Sequence, residues 1–265
     1  SELELQRSLA EMAFHNHGPH DMPCFMGCGA YDHFYPTLID QLTNRAEFLT
    51  SYTPYQAEAS QGSLQAFFEF QTQIARLTGL EIANASLYDG ATAVAEAVLL
   101  ATNTTRRKEV LVASTLHPEY LAVLRTVLAD LNITITTLEA TQGRISPETI
   151  EKSMSDKVAG VVVQSPNIWG LIEDWDGCFE VVHRTPKTAA IAVFNPIACG
   201  VLKTPGACNA DIAAGEGQPL GNALNLGGPY LGLLAAKETY TRRMPGRLIG
   251  MTKDEEGRRV FCLTL

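Results

Sequence analysis

The sequence contains no long apolar run, and its basic residues are outnumbered by acidic ones. Its 265 residues include 20 Lys and Arg against 29 Asp and Glu, which gives a formal net charge of −9. No stretch reaches the roughly 18 consecutive apolar residues of a membrane-spanning helix. An acidic chain also lacks the broad basic face that binds a phosphate backbone. We therefore expect neither a membrane nor a nucleic acid as a partner.

The sequence has few cysteines, and its first residues do not resemble a secretory signal. The six cysteines are scattered through a long chain, which is typical of reduced thiols in a cytoplasmic protein rather than of a disulfide framework. The acidic residues 1–4 lack the positive charges that begin a secretory signal. Cys24 and Cys28 have no second pair at ligand spacing, so we expect no metal site. The predicted location is the cytoplasm.

Strand-like and helix-like segments alternate through most of the chain. Unbroken apolar runs at 158–163 and 189–194 are typical of strands that are covered on both faces. Residues 118–131 repeat leucine at helical spacing. This alternation predicts an α/β fold with a mainly parallel sheet and helices on both faces. Short strands at 211–214 and 231–236 are predicted at an antiparallel edge.

A predicted helix begins with small residues. Gly90, Ala91 and Thr92 would let an anion approach the backbone N–H groups of the helix N-terminus, where the helix dipole favours negative charge. The alternative is that Asp89 only caps the helix. The segment is therefore compatible with a phosphate site or with a plain N-cap.

His117 and Asn167 each follow a predicted strand. Ligands of such sheets bind beyond the carboxyl ends of the strands. A histidine at that edge can stack on a planar ring or transfer a proton, and an asparagine offers both donors and an acceptor. Structural hydrogen bonding and a simple turn would explain the same two residues.

Two other segments have compositions that are unusual for solvated loops. Residues 52–62 contain two tyrosines and two glutamines, which suggests a recognition or interface segment. Residues 215–228 contain five glycines in 14 positions. Such density brings the backbone close to a ligand or another subunit, or else forms a set of tight turns.

Taken together, these motifs resemble a known family, the glycine decarboxylase P-protein (glycine dehydrogenase, decarboxylating) of the glycine cleavage system. The resemblance runs from about residue 25 to residue 265, and it is closest to the N-terminal or α subunit of the two-chain form. The segments that carry it are 52–101, 117–120, 164–167, 215–232 and 243–247.

The resemblance implies a fold and a domain organisation. The fold is expected to be the large domain of fold type I enzymes, which depend on pyridoxal 5′-phosphate (PLP). Residues 1–62 would form an N-terminal arm of helix and loop at a subunit interface, and residues 63–265 would form the α/β large domain. The small C-terminal domain of the family is expected to be absent, so the chain would be a truncated one.

The resemblance also implies a PLP site of which this chain has only a part. In the related catalytic subunit a lysine binds the cofactor as a Schiff base, and a carboxylate pairs with the ring nitrogen. Gln218 stands at the lysine position here, and Asn195 stands at the carboxylate position. PLP is therefore expected on the β subunit rather than covalently on this chain. The residues expected to line a vestigial cofactor pocket are Gly90, Ala91, Thr92, His117 and Asn167.

The function that the resemblance implies is that of an α subunit. With a PLP-carrying β subunit, it would decarboxylate glycine and pass the aminomethyl group to the lipoyl arm of the H-protein, in a heterotetramer. The expected partners are therefore the β subunit, the lipoylated H-protein and glycine. We expect Tyr52, Tyr55 and Gln61 to reach toward the partner's site, with Asp32 and His33 nearby. Packing of the subunit interface alone would explain the same residues.

Two other functions are compatible with the sequence. One is a scaffold subunit that stabilises its partner and never contacts substrate. The other is an independent fold type I PLP enzyme, an aminotransferase or lyase, that uses Lys203 or a non-covalent cofactor. The residues at the expected lysine and carboxylate positions disfavour this second alternative.

Overall fold

A seven-stranded β-sheet forms the centre of the structure, a computed structural model that describes residues 1–18, 21–23, 25, 27, 29–49, 53–224 and 230–264. The strands are β1 (Ile82–Ala83), β2 (Glu109–Ala113), β3 (Thr134–Leu138), β4 (Val158–Ser165), β5 (Ala189–Phe194), β6 (Ile212–Glu216) and β7 (Gly232–Ala236). Their order along the sheet is β1-β7-β6-β5-β4-β2-β3. From β3 to β6 neighbouring strands run parallel, whereas β7 is antiparallel to both β6 and β1. The predicted, mainly parallel α/β sheet is confirmed. Of the two short strands expected at an antiparallel edge, β7 is antiparallel to its neighbours, whereas β6 runs parallel to β5.

Helices alternate with the parallel strands. The α-helices are α1 (Glu2–Phe14), α2 (Thr37–Thr43), α3 (Ala46–Leu49), α4 (Gln61–Thr78), α5 (Gly90–Thr105), α6 (Pro118–Leu128), α7 (Pro147–Ser153) and α8 (Trp175–His183). Side chains cap several of them: Ser146 accepts from a backbone N–H of α7, and Asp174 accepts from one of α8. Such caps satisfy amide groups that the first turn of a helix leaves without a partner.

The apolar core covers both faces of the sheet. One cluster packs α8, with its fully buried Phe179, against Val161 and Val163 of β4. The other packs α5 and α6 against the opposite face, which includes Val162. Because neighbouring residues of a strand point to opposite faces, burial on both sides requires the unbroken apolar run that β4 shows.

A two-stranded hairpin lies outside the main sheet. Its strands, β8 (Leu248–Lys253) and β9 (Arg259–Thr264), are antiparallel and pack against α4. Ile249 and Phe261 join Leu64 of α4 in a small apolar cluster. The sequence does not predict this hairpin, because the apolar alternation of its strands is weak. Only one residue of each strand, Ile249 or Phe261, is buried in that cluster.

The described residues of the N-terminal segment, 1–49, contribute nothing to the core. None of the described residues in 1–49 is buried, although α1 begins with a complete capping box at Ser1. Large apolar side chains along this segment are exposed, among them Leu9, Phe14 and Phe34. Within the described residues, no helix has both the length and the hydropathy that a bilayer crossing demands.

Candidate functional site

A cavity of about 360 Å³ lies beyond the carboxyl ends of β4, β5 and β6. This is the edge of the sheet where ligands of parallel α/β folds bind. Residues from the segments that follow β2, β4, β5 and β6 meet there with residues of the N-terminal segment. Its lining includes Tyr31, His117, Gln164, Asn167, Asn195 and Glu216. The structure therefore brings together His117 and Asn167, which lie fifty residues apart in the sequence.

His117 is the N-cap of α6 and is buried, with 4% of its surface exposed. Its Nδ1 accepts a hydrogen bond from the Glu119 backbone N–H at 3.2 Å, and its own backbone N–H donates to Gln164. The ring stacks on Tyr120, with centroids 4.8 Å apart. Its Nε2 has no hydrogen-bond partner among the described residues. Because Nδ1 acts as an acceptor, the neutral ring carries its proton on Nε2 and has a donor to offer.

Asn167 is buried and uses its side chain to organise its own loop. Its Nδ2 donates to Glu173 Oε1 at 2.7 Å and to the Gly143 carbonyl at 2.8 Å. Its Oδ1 accepts from the backbone N–H groups of Trp169 and Leu171. These bonds occupy the amide, so Asn167 shapes the wall of the cavity.

The N-terminus of α5 also lies at this edge. Asp89 is its N-cap and accepts from the Thr92 N–H at 2.8 Å, while the Thr92 hydroxyl bonds back to the Asp89 backbone. The Gly90 N–H donates to Glu216 Oε2 at 2.8 Å. The capping alternative for Asp89 is therefore present in the structure, and a carboxylate of the same chain lies at the helix N-terminus.

Glu216, the last residue of β6, accepts hydrogen bonds from three segments. Besides the Gly90 N–H, the Gln218 N–H donates to its Oε1 at 2.8 Å and the Leu231 N–H donates at 3.1 Å. Burial nevertheless raises the pKa of the Glu216 carboxyl above its usual value, against the opposing effect of these bonds. Burial and the nearby Glu216 charge also raise the pKa of the Tyr120 phenol.

Gly90 leaves room for this arrangement. A Cβ at that position would lie 2.9 Å from the Glu216 Cβ and 2.3 Å from the Tyr120 hydroxyl oxygen. Real Cβ atoms do not approach other atoms so closely. Glycine is needed here because a strand-end side chain and a tyrosine pack directly against the first turn of the helix.

The Gln218 side chain forms hydrogen bonds that hold the N-terminal segment at the cavity. Its Oε1 accepts from the Tyr31 N–H at 3.2 Å, and its Nε2 donates to the Tyr31 carbonyl at 3.0 Å and to the Asn222 carbonyl at 2.8 Å. The side chain is 2% exposed. This paired amide contact places Tyr31 at the mouth of the site, where it lines the cavity.

Asn195 follows β5 and turns the chain. Its Oδ1 accepts from the backbone N–H groups of Ile197 and Ala198 at 2.9 Å and 3.2 Å. The side chain therefore caps a short 3-10 turn at the cavity wall.

Tyr55 and Gln61 lie at α4 and the hairpin, and neither lines this cavity. Tyr55 stacks on Phe67, with ring centroids 5.9 Å apart. The Gln61 amide donates to the Phe261 carbonyl at 2.8 Å and accepts from the Phe261 N–H at 2.8 Å. Tyr52 lies outside the described residues. A contribution of these three residues to a partner's site stays a prediction.

The sequence-based predictions do not include two carboxylates near this sheet edge: Glu216, which lines the cavity, and Glu173, which binds Asn167 but does not line the cavity. Glu216 stands at the end of an apolar strand, so the rule that singled out Asn167 also applies to it. Glu173 is buried and accepts from the Thr115 hydroxyl, from Asn167 and from the Ile145 N–H. No sequence pattern marks Glu173, because its partners come from three separate loops.

Lys203 lies on the surface beside a second cavity of about 220 Å³. Its Nζ is 2.6 Å from Asp176 Oδ2, and both side chains are exposed. This hydrogen bond and the Asp176 charge raise the pKa of the Lys203 ammonium. A Schiff base requires the opposite, since the attacking amine must be neutral.

Comparisons with known proteins agree on one family. The family model described as glycine cleavage system P-protein matches residues 1–265. A probable glycine dehydrogenase (decarboxylating) subunit 1 from Desulfitobacterium hafniense (strain DSM 10664 / DCB-2) is 49% identical over 265 residues. That match covers 100% of this chain and 59% of the relative, so the chain spans under two thirds of the relative's length.

Solved structures show the same likeness. The inhibitor-bound crystal structure of glycine decarboxylase (P-protein) of the glycine cleavage system has a TM-score of 0.93 at 48% identity, covering 100% of this chain and 59% of that one. A sphingosine-1-phosphate lyase from Burkholderia pseudomallei K96243 has a TM-score of 0.68 at 11% identity, covering 98% and 63%. This second likeness shows the fold alone, which is that of fold type I PLP-dependent enzymes, as predicted.

The residues of this site do not fit covalently bound PLP. Gln218, at the position where a lysine is expected, is held by the Tyr31 backbone. Asn195, at the expected carboxylate position, caps a turn and carries no charge to pair with a ring nitrogen. His117 stacks on Tyr120.

Proposed function

The chain belongs to the glycine cleavage system P-protein family, and from that premise we propose that it acts as the α subunit of glycine dehydrogenase (decarboxylating). Together with a β subunit, it decarboxylates glycine and passes the aminomethyl group to the lipoyl arm of the H-protein. The observation that carries this proposal is the match, over the whole of this chain, to relatives described as subunit 1 of that enzyme.

In this proposal PLP resides on the β subunit, where it supplies an electron sink for the decarboxylation. Support comes from the residues at the equivalent positions of this chain. The Gln218 amide is occupied by the Tyr31 backbone, and Asn195 cannot replace a carboxylate. The part left to this chain is to complete and enclose its partner's site.

The N-terminal arm, residues 1–62, is proposed to form much of the interface with the β subunit. None of its described residues is buried, yet it exposes large apolar side chains. Exposed apolar surface of this extent is typical of protein–protein contact sites. Residues of the arm that we propose to reach the partner's cofactor are Tyr52, Tyr55 and Gln61.

The other partners follow from the same proposal. The lipoylated H-protein would deliver its carrier arm, glycine would be the substrate, and the α and β subunits would assemble as a heterotetramer in the cytoplasm. The formal charge of −9 gives no general attraction for an acidic carrier. H-protein docking would therefore depend on the partner subunit or on local basic positions such as Arg242, Arg243 and Arg247.

Exchange of labelled bicarbonate into glycine tests the function. We expect no exchange with the full-length α chain alone, and exchange when the PLP-loaded β subunit and lipoylated H-protein are added. Equal exchange by the β subunit without this chain would contradict the proposal.

A conservative variant separates a role at the site from scaffolding. Tyr52→Phe removes one hydroxyl, and the loss of a contact worth about 1.4 kcal/mol in the transition state lowers kcat about tenfold. Tyr240→Phe is the matched control, because that buried tyrosine lies near Asp211, away from the cavity. Unchanged turnover of Tyr52→Phe in an intact complex would favour the scaffold alternative.

A further inference from the structure

We propose that Glu216 is a resident anion that takes the place of a ligand phosphate at the N-terminus of α5 and closes this chain's cavity to phosphorylated ligands. The inference rests on the proposed function, in which PLP belongs to the β subunit. On that premise, the Glu216 side chain is what excludes a phosphorylated cofactor from this cavity.

The geometry around Glu216 is that of an occupied anion site. A helix N-terminus binds phosphate through free backbone N–H groups and the positive end of the helix dipole. Here the Gly90 N–H at that position donates to Glu216 Oε2. The N–H groups of Gln218 and Leu231 complete the set around Oε1. The Glu216 carboxylate thus accepts hydrogen bonds from a helix, a turn and the end of a strand.

Two further N–H groups of the helix start are used by the chain itself, which leaves only the Ala91 N–H without a partner among the described residues. The Thr92 N–H donates to the Asp89 side chain, and the Ala93 N–H donates to the Asp89 carbonyl at 3.0 Å. The Gly90 Cα is packed against Glu216 and Tyr120 so closely that a Cβ does not fit. No room remains between Gly90 and Glu216 for a tetrahedral anion.

The charge around the cavity also opposes a phosphate. A phosphate monoester carries a charge of about −1.5 to −2 near neutral pH. Among the described residues that line the cavity there is no lysine or arginine, and Glu216 contributes a carboxylate of its own. A second anion would meet like charge in a partly buried site without a cation to offset it. Entry of a phosphate requires removal of the Glu216 side chain.

Thermal unfolding in inorganic phosphate tests this proposal with the full-length chain. Wild type, Glu216→Ala and the control Glu148→Ala are compared in 20 mM phosphate and in chloride of equal ionic strength. Glu148 is an exposed carboxylate in the first turn of α7. In chloride, Glu216→Ala has a lower Tm than wild type, because three N–H groups lose their acceptor. Phosphate then raises the Tm of this variant by about 3 °C or more, since a ligand that binds only the folded state stabilises it.

Wild type and Glu148→Ala should show no difference between phosphate and chloride. If Glu216→Ala does not fold, Glu216→Ser is assayed in the same way, because its hydroxyl accepts one of the three bonds while leaving space for the anion. A saturable phosphate or PLP response of the wild type overturns the proposal, as does a folded variant without any phosphate response.

The outcome is independent of the proposed catalytic role. The thermal assay uses neither glycine nor the partner subunit. A failure of glycine exchange would therefore leave the phosphate result intact, and a phosphate-binding wild type would leave the glycine exchange result intact.

Discussion

The two ends of β6 carry carboxylates in opposite electrostatic surroundings, Asp211 buried and Glu216 half-buried. Asp211, directly before the strand, lies 2.8 Å from His183 Nε2 and 2.7 Å from Lys237 Nζ. Glu216, its last residue, is held by backbone N–H groups alone among the described residues. Although burial opposes ionisation, hydrogen bonds from His183, Ala190 and Lys237 lower the pKa of Asp211. Burial raises the pKa of Glu216.

The helices explain why the two ends differ. In this fold helices begin at the carboxyl edge of the sheet and end at the amino edge. The positive dipole end of α5 therefore faces Glu216, whereas the C-terminus of α8 places His183 beside Asp211. At the carboxyl edge one helix N–H and two loop N–H groups bind the Glu216 carboxylate, whereas at the amino edge the Lys237 and His183 side chains and one backbone N–H bind Asp211. We conclude that Asp211 at the amino edge stabilises the fold, whereas Glu216 at the carboxyl edge occupies a potential ligand site.

The largest effect is expected at the amino edge. Asp211→Ala leaves Lys237 and His183 without their partner and removes the acceptor of the Ala190 N–H. Since both partner side chains are partly exposed, we expect a loss of about 2 to 3 kcal/mol in the free energy of unfolding, below the value for a fully buried ion pair. Urea titration measures it, with the exposed Asp130→Ala as the control. A loss equal to that of the control would remove the contrast between the two ends.

Changing the pH should separate the two carboxylates by sign. The pKa of Asp211 is lowered in the folded state, so its contribution is present above the unfolded value of 3.8 and is lost as the pH falls through the folded pKa. The pKa of Glu216 is raised, so its protonated form favours folding below 4.5, and this contribution is lost as the pH rises through the folded pKa.

Variants at the two positions therefore respond oppositely to acid. Between pH 7 and pH 3.5 the destabilisation by Asp211→Asn should shrink and that by Glu216→Gln should grow. Urea titrations at four pH values measure both. The same direction of change in the two variants would show that the strand ends are electrostatically alike.

A smaller effect is expected for the contact between the arm and the site. Gln218→Leu removes the paired amide contact to Tyr31. Because the Tyr31 backbone groups can then bind water, the free energy of unfolding should fall by only about 1 kcal/mol. The arm itself should be released, and limited proteolysis within residues 1–49 should become faster. Gln65→Leu, which breaks a surface bond to Glu69, is the control. Unchanged proteolysis would show that Gln218 does not fasten the arm.

The smallest effect is expected at Lys203. Its ion pair with Asp176 is exposed on both sides, and such pairs contribute little. Lys203→Ala should therefore leave the Tm unchanged. Borohydride reduction with added PLP, followed by peptide mapping, should give no stoichiometric adduct on this lysine. A specific adduct would restore the alternative of an independent PLP enzyme and would make Lys203 part of a site.

The sequence anticipated the site in part. His117 and Asn167 were singled out because they follow strands, and both line the cavity. Gly90, Ala91 and Thr92 were singled out as a helix start, and the structure places a carboxylate of the chain itself at Gly90. Their use as cofactor ligands stays a prediction. The sequence does not predict the full set of bonds to Glu216, because two of the three donors lie 126 residues upstream and 15 residues downstream.

By itself the sequence determined the alternation of helices and strands and the mainly parallel sheet, but not the hairpin of β8 and β9. The alternation and the parallel sheet depend on apolar periodicity and on caps, which act over a few residues and can be read locally. The tertiary structure alone decided which groups meet across the sheet edge: Glu216 with Gly90, Gln218 with Tyr31, and Asp211 with Lys237. Such pairings depend on strand order and on the directions of helix dipoles. Both arise only when distant segments pack, so no local pattern contains them.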